Sequence, residues 1–200
     1  MVYVSIQCML SLLNMADYLN FYCAPCLLGK KPASLFSVPL EIFNKSKVGM
    51  EYLKNLGLSI HFLYEINEKA HILVFSEKKA RKLINMAEIR KAYSFFGYRE
   101  DFRFEDLMEN LFKKFTQFES NGLQQQSVGV FPHEIGLFLG YPPEDVLQYY
   151  IKKGKDYLFS GYWKVYTNPE KALETFKLYD ECRAYCMKKV RLNFYHLLSA

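Results

Sequence analysis

The stretch "LSIHFLYEINEKAHILVF", Leu58 to Phe75, constrains the fold more than any other. Ile60, Phe62 and Tyr64 alternate with His61 and Leu63, the period of a strand with one buried face. Asn67-Glu68-Lys69 interrupts the pattern, and a second apolar run follows from Ala70 to Phe75. This spacing predicts a β-hairpin of Leu58–Ile66 and Ala70–Phe75. A lone hairpin is marginal in water, so it needs cover from the rest of the chain.

The cover reads as helical. Apolar positions from Gln7 to Tyr22 fit a helix, and Pro32 sits where another begins, followed by Ala33, Ser34, Leu35 and Phe36. Glu41 to Leu56 is predicted helical, closed by Gly57. Ser76 is placed to cap a helix through Met86, and a second short helix runs to Phe96 and stops at Gly97. From Phe104 to Phe118 the pattern is the clearest in the chain: Leu107, Leu111, Phe115 and Phe118 share one face. "SVGVF" (127–131) reads as a short strand or extended entry, and "LQQQS" (123–127) as a loop. His133 to Leu139 is a short helix ending at Gly140. Pro142-Pro143-Glu144-Asp145 opens the next, with Gly154 beyond its end. Tyr157 to Tyr166 alternates like a strand. Thr167 with Glu170 forms a capping box around Pro169. The fold class expected is α+β: one domain over 1–200, with a small mixed or antiparallel sheet built from hairpin 58–75 and strand 157–166.

Half of the 200 residues are hydrophobic, enough for a core, and 17% are aromatic. The aromatic excess fits either a groove or interface lined by Tyr or a genome rich in A and T. The net charge is +5, but 26 basic and 21 acidic residues interleave without a run of like sign, which argues against nucleic acid as partner. Residues 1–13 lack a basic leader and are too few to span a bilayer, so no membrane partner and a cytoplasmic location are expected. Five cysteines in a reducing compartment do not suggest a disulfide framework.

Several constellations carry chemistry. Cys23-Ala24-Pro25-Cys26 has the spacing of a redox pair. The following "LLGKKP" cannot extend a long helix, and Pro132, the candidate facing proline, precedes helix punctuation rather than a strand. Cys23 and Cys26 with Cys182 and Cys186 would make a four-thiolate metal site. The alternative is that all four are small buried hydrophobes. His133 and Glu134 are candidate catalytic acid and base, although Leu137 rules out the HExxH zinc pattern. The structural alternative is a helix cap and a dipole partner. Lys30 and Lys31 before Pro32-Ala33-Ser34, at the helix start expected there, suit a phosphate with Lys31 and Ser34 as contacts; the alternative is a solvated turn. Tyr162 and Trp163 lie on opposite faces of one strand, so one is free to stack on a planar ligand, with Lys164 beside them.

Three segments taken together, "CAPCLLGKKPASLF", "FPHEIGLFLGYPPEDV" and "GYWKVYTNPEKALETFKLYDECR", resemble a bacterial family known as domain of unknown function 3793. The likeness covers Cys23, Ala24, Pro25 and Lys31 to Leu35; Pro132, His133, Glu134, Gly136, Gly140, Tyr141, Pro142 and Asp145; and Gly161, Trp163, Lys164 and Tyr166. Cys26 and Gln148-Tyr149 depart from the family pattern, so the CxxC pair is a feature of this sequence. The resemblance names no activity. It implies anaerobic bacteria and a flavodoxin-like protein as neighbour and possible partner, hence a flavin or electron-transfer setting. The cofactor is unknown. Three functions are compatible. In the first, a ligand-binding or accessory protein has one pocket formed by 23–36, 131–146 and 161–166, with Lys31, Ser34, Tyr141, Tyr162, Trp163 and Lys164 as contacts. The others are an enzyme of cofactor or tetrapyrrole metabolism using His133 and Glu134, and a docking module for a redox partner.

Overall fold

A computed structural model describes residues 15–46, 53–54, 56–123 and 131–198, and their side chains except those of 120–123 and 190–198. The chain divides into two compact units, one of residues 1–76 and 177–200, the other of residues 77–176. The α+β class is borne out. The expectations for residues 1–14, for 47–52 and 55 of the helix expected over Glu41–Leu56, and for "LQQQS" and "SVGVF" over 124–130 lie outside the described residues.

In the first unit the hairpin forms as expected. The strands are β1 (Ala33–Pro39), β2 (Ser59–Ile66) and β3 (Lys69–Phe75), in the order β1-β3-β2, all antiparallel. Ile66 pairs with Lys69, so Asn67 and Glu68 make a two-residue turn, both with positive φ (51° and 58°). That is the backbone of a type I′ turn, whose twist matches the strands it joins. The alternation along β2 breaks at one place: the register shifts between Phe62 and Tyr64. Phe62 is therefore exposed, while neighbours Leu63 and Tyr64 are both buried.

The third strand is the first correction. Pro32 does not start a helix; Ala33–Pro39 pairs along β3 from Ala33 opposite Phe75 to Pro39 opposite Lys69. Phe36 and Val38 point into the core while Leu35 and Ser37 are half-buried, a period of two that the proline signal masked. On an edge strand Pro39 sacrifices no ladder bond that the sheet needs. The central strand, β3, carries the core residues Ala70, Ile72 and Val74, packed with Met15, Phe43 and Leu53.

The second unit is mainly helical: Glu77–Ile84, Ala87–Phe95, Phe104–Leu123, Ile135–Phe138 and Pro143–Ile151. Leu107, Leu111 and Phe115 are fully buried, as their spacing predicts. Residues 157–166 are the second correction. They hold two short strands, β4 (Phe159–Ser160) and β5 (Lys164–Val165), paired as a separate hairpin and not joined to the β1-β3-β2 sheet. The chain reverses at Gly161, where a Cβ would lie 2.2 Å from Phe176 Cε2. A continuous strand of ten residues is thereby interrupted. The helix Pro169–Leu198 begins in this unit and continues into the first. Among the described residues no helix is long and apolar enough to cross a membrane.

Candidate functional site

In the first unit, Cys23, Cys26, Lys31 and Ser34 are all buried, with Tyr179, Cys182 and Cys186 of the long helix. Cys23 stands at the start of the short helix Ala24–Leu27, and Gly29, in a left-handed conformation, ends it. The amides of Lys30 and Lys31 both bond to the Pro25 carbonyl, at 2.7 and 3.0 Å. That turn folds Lys31 back toward the thiols. The Cys26 thiol donates to the Pro32 carbonyl, 3.6 Å away.

Burial dominates the electrostatics here. It pushes the Lys31 pKa down to about 8, against a smaller opposing pull from Cys23 and Cys26. Burial, with Cys26, pushes the Cys23 thiol well up, although Lys31 and Ser34 draw it the other way. The Ser34 hydroxyl, close enough to bias Cys23, makes no well-formed hydrogen bond among the described residues. Tyr179 lies under the Lys31 ammonium at 5.8 Å, and burial raises its pKa to about 12. Cys182 and Cys186 pack on Ala24. Among the described residues no three His, Cys, Asp or Glu side chains form a metal-binding group. A neutral, inaccessible Cys23 is poorly suited to thiol exchange, which needs the thiolate.

In the second unit, the Asp145 carboxylate ties the second motif to the third. It lies in the first turn of Pro143–Ile151 and is 2% exposed. It accepts hydrogen bonds from Trp163 Nε1 (2.7 Å), the amides of Tyr166 (3.0 Å) and Thr167 (2.9 Å), and the Thr167 hydroxyl (2.9 Å). This is the third correction: Thr167 does not use its hydroxyl to cap the long helix. Asn168 Oδ1 takes that part, weakly, accepting from Lys171 N at 3.4 Å. Trp163 also meets the Tyr141 ring at 5.1 Å and Phe176 at 4.5 Å. Tyr162 packs on Phe176 too. Lys164 donates to the Gly154 carbonyl at 2.7 Å, between the rings of Tyr157 and Tyr149. Trp163 and Lys164 thus use their polar atoms within the fold.

His133 and Glu134 have separate surroundings. The half-buried His133 ring lies among Phe131, Tyr149 and Tyr150, and burial lowers its pKa, with Glu134 opposing. Glu134 is 3% exposed and precedes the helix Ile135–Phe138. It accepts from Tyr98 Oη at 3.2 Å and forms an ion pair with Lys114. Burial and Glu134 together push the Tyr98 pKa upward, so Tyr98 remains the donor.

Tyr98 and Lys114 also line an open cleft of about 600 Å³. Its other walls include Phe96, Arg99, Asp101, Phe102, Arg103, Asp106 and Asn110. These residues carry no motif of their own in the sequence. Their signal is the alternation of sign in "REDFRFED" (99–106), which reads by itself as a solvated surface. Of the residues expected in a site, Glu134 contacts this cleft's walls, through Tyr98 and Lys114. Tyr141, Trp163 and Asp145 form a second group, and Lys31 and Ser34 a third.

Together these features define an α+β protein with a buried lysine–thiol cluster in the first unit and, in the second, a buried Asp145 network and an open, charged cleft. The chain belongs to the family described as protein of unknown function (DUF3793), whose profile matches residues 19–196. No curated protein and no solved structure matches it.

Proposed function

We propose that the protein binds a small molecule in the cleft lined by Tyr98, Arg99, Phe102, Arg103 and Lys114, acting as a ligand-binding or accessory protein. The observation that carries this reading is that two lining residues, Tyr98 and Lys114, are both held by the buried Glu134. A buried carboxylate is costly, and holding an ammonium and a phenol in one geometry fixes part of the wall before any ligand arrives. The volume lies within the range of drug-sized sites. Glu134, committed to Lys114, serves as a positioning residue rather than a free base. The test is native mass spectrometry of gently purified protein. A co-purifying small molecule is expected in the wild type and absent from an Arg99→Ala, Arg103→Ala double variant that retains its fold. Equal retention by both proteins would overturn the reading.

The exposed Tyr150 and Ile151 beside exposed Lys152, Lys153 and Lys155 favour a second reading, docking of an acidic redox partner such as a flavodoxin-like protein. Salt-sensitive binding to a flavodoxin is expected on this reading, and its absence at low salt would refute it.

A further inference from the structure

We propose that the cleft takes a ligand with a flat apolar body and an acidic group, and that the second edges of Arg99 and Arg103 grip the acid. The inference rests on the cleft being a ligand site. Arg99 donates Nε and Nη2 to Asp101 at 3.0 and 2.9 Å. Arg103 donates Nε and Nη2 to Asp106 at 3.1 and 2.9 Å, and its amide reaches the same carboxylate at 3.0 Å. A guanidinium has five N–H donors in a fixed plane, so a bidentate pair of this kind uses one edge. Among the described residues neither Nη1 makes a hydrogen bond, and both arginines line the cleft. The two aspartates act as braces: each fixes the plane of its arginine and holds its pKa up.

A planar carboxylate, sulfonate or phosphate matches the remaining forks. Phe96 and Phe102 supply apolar wall. Phe102 is nearly buried and packs edge-on against Tyr93 and Tyr98, so its position is set in advance. With Glu134 behind Lys114, the three cations face three carboxylates, so net charge does not select the ligand. Selection comes from the arginines' free edges. Asp101 and Asp106 already accept on both oxygens, and their remaining lone pairs are the competing site that a cationic ligand would use.

Three probes of one shape separate the outcomes: 2-naphthoate, 2-naphthol and 2-naphthylmethylammonium, titrated by calorimetry against the full chain. The expected result is naphthoate binding about tenfold or more tighter than naphthol, a difference of about 1.4 kcal/mol. Arg99→Gln and Arg103→Gln should each weaken naphthoate severalfold and leave naphthol unchanged. Both side chains are exposed, so the fold should survive, as circular dichroism will check. Equal binding of naphthoate and naphthol, or tighter binding of the ammonium, overturns the acidic-ligand inference and leaves the cleft reading standing. Binding of none of the three overturns the inference, while the co-purification experiment judges the cleft reading separately.

Discussion

Replacing Lys31 by methionine should stabilise the protein, and by a pH-dependent amount. The lysine falls from an ordinary pKa of 10.5 to about 8 on folding, because burial disfavours its charge. A cationic group whose charged form is disfavoured by folding is held more protonated in the unfolded chain. Its penalty is therefore full below the folded pKa and fades as pH rises from about 8 toward 10.5. At about 1.4 kcal/mol per decade, the penalty is about 3 kcal/mol at pH 7 and about half that at pH 9.5. Methionine keeps the length and packing of the stem, and the contacts the ammonium loses, that with the Tyr179 ring (about 0.5–1 kcal/mol) among them, subtract from the gain. Lys31→Met should thus gain up to about 2–3 kcal/mol at pH 7 and clearly less at pH 9.5. Cys23 works in the opposite direction: its raised pKa means that its contribution is lost as pH rises. The comparison is therefore made between variant and wild type at each pH, by urea unfolding. A variant less stable than wild type at pH 7, or a difference that does not shrink with pH, would refute the reasoning.

Asp145→Ala should cost about 3 kcal/mol or more, since four donors lose their buried acceptor. Trp163 is the sole tryptophan, so its emission should shift to the red in the same variant. Gly161→Ala should destabilise by about 1–3 kcal/mol in thermal unfolding, because a Cβ would meet Phe176 at 2.2 Å and force the ring aside. Cys23 and Cys26, 0% and 2% exposed, should resist iodoacetamide in the native protein at pH 8 and react readily after unfolding. Native labelling at the unfolded rate, followed by mass spectrometry, would contradict their burial.

Local signals carried most of the fold. The hairpin, the Phe104 helix and the stops at Gly57, Gly97, Gly140 and Gly154 were legible, because each depends on a few neighbouring residues. The errors share one cause: a local signal had two outlets, and a distant residue chose between them. Pro32 suits a helix start or an edge-strand entry, and β3 decided for the strand. Thr167 suits a cap or a hydrogen bond, and Asp145, twenty-two positions earlier, took it. Tyr157–Tyr166 suits one strand until Phe176 closes over Gly161. The candidate site was legible only in part for the same reason. Glu134 and Lys31 stood out by type, but Lys114, Tyr98 and Tyr179 become their neighbours only through the fold. The family resemblance was legible from three motifs, and the matched span is now known to cover 19–196.

The central claim is that ligand binding belongs to the cleft beside Glu134. Amide chemical-shift mapping of the labelled protein during titration with 2-naphthoate tests it most directly. The account predicts the largest shifts between Phe96 and Asn110 and at Lys114. Shifts confined to Cys23–Ser34 or to Gly161–Lys164, with the cleft silent, would contradict it.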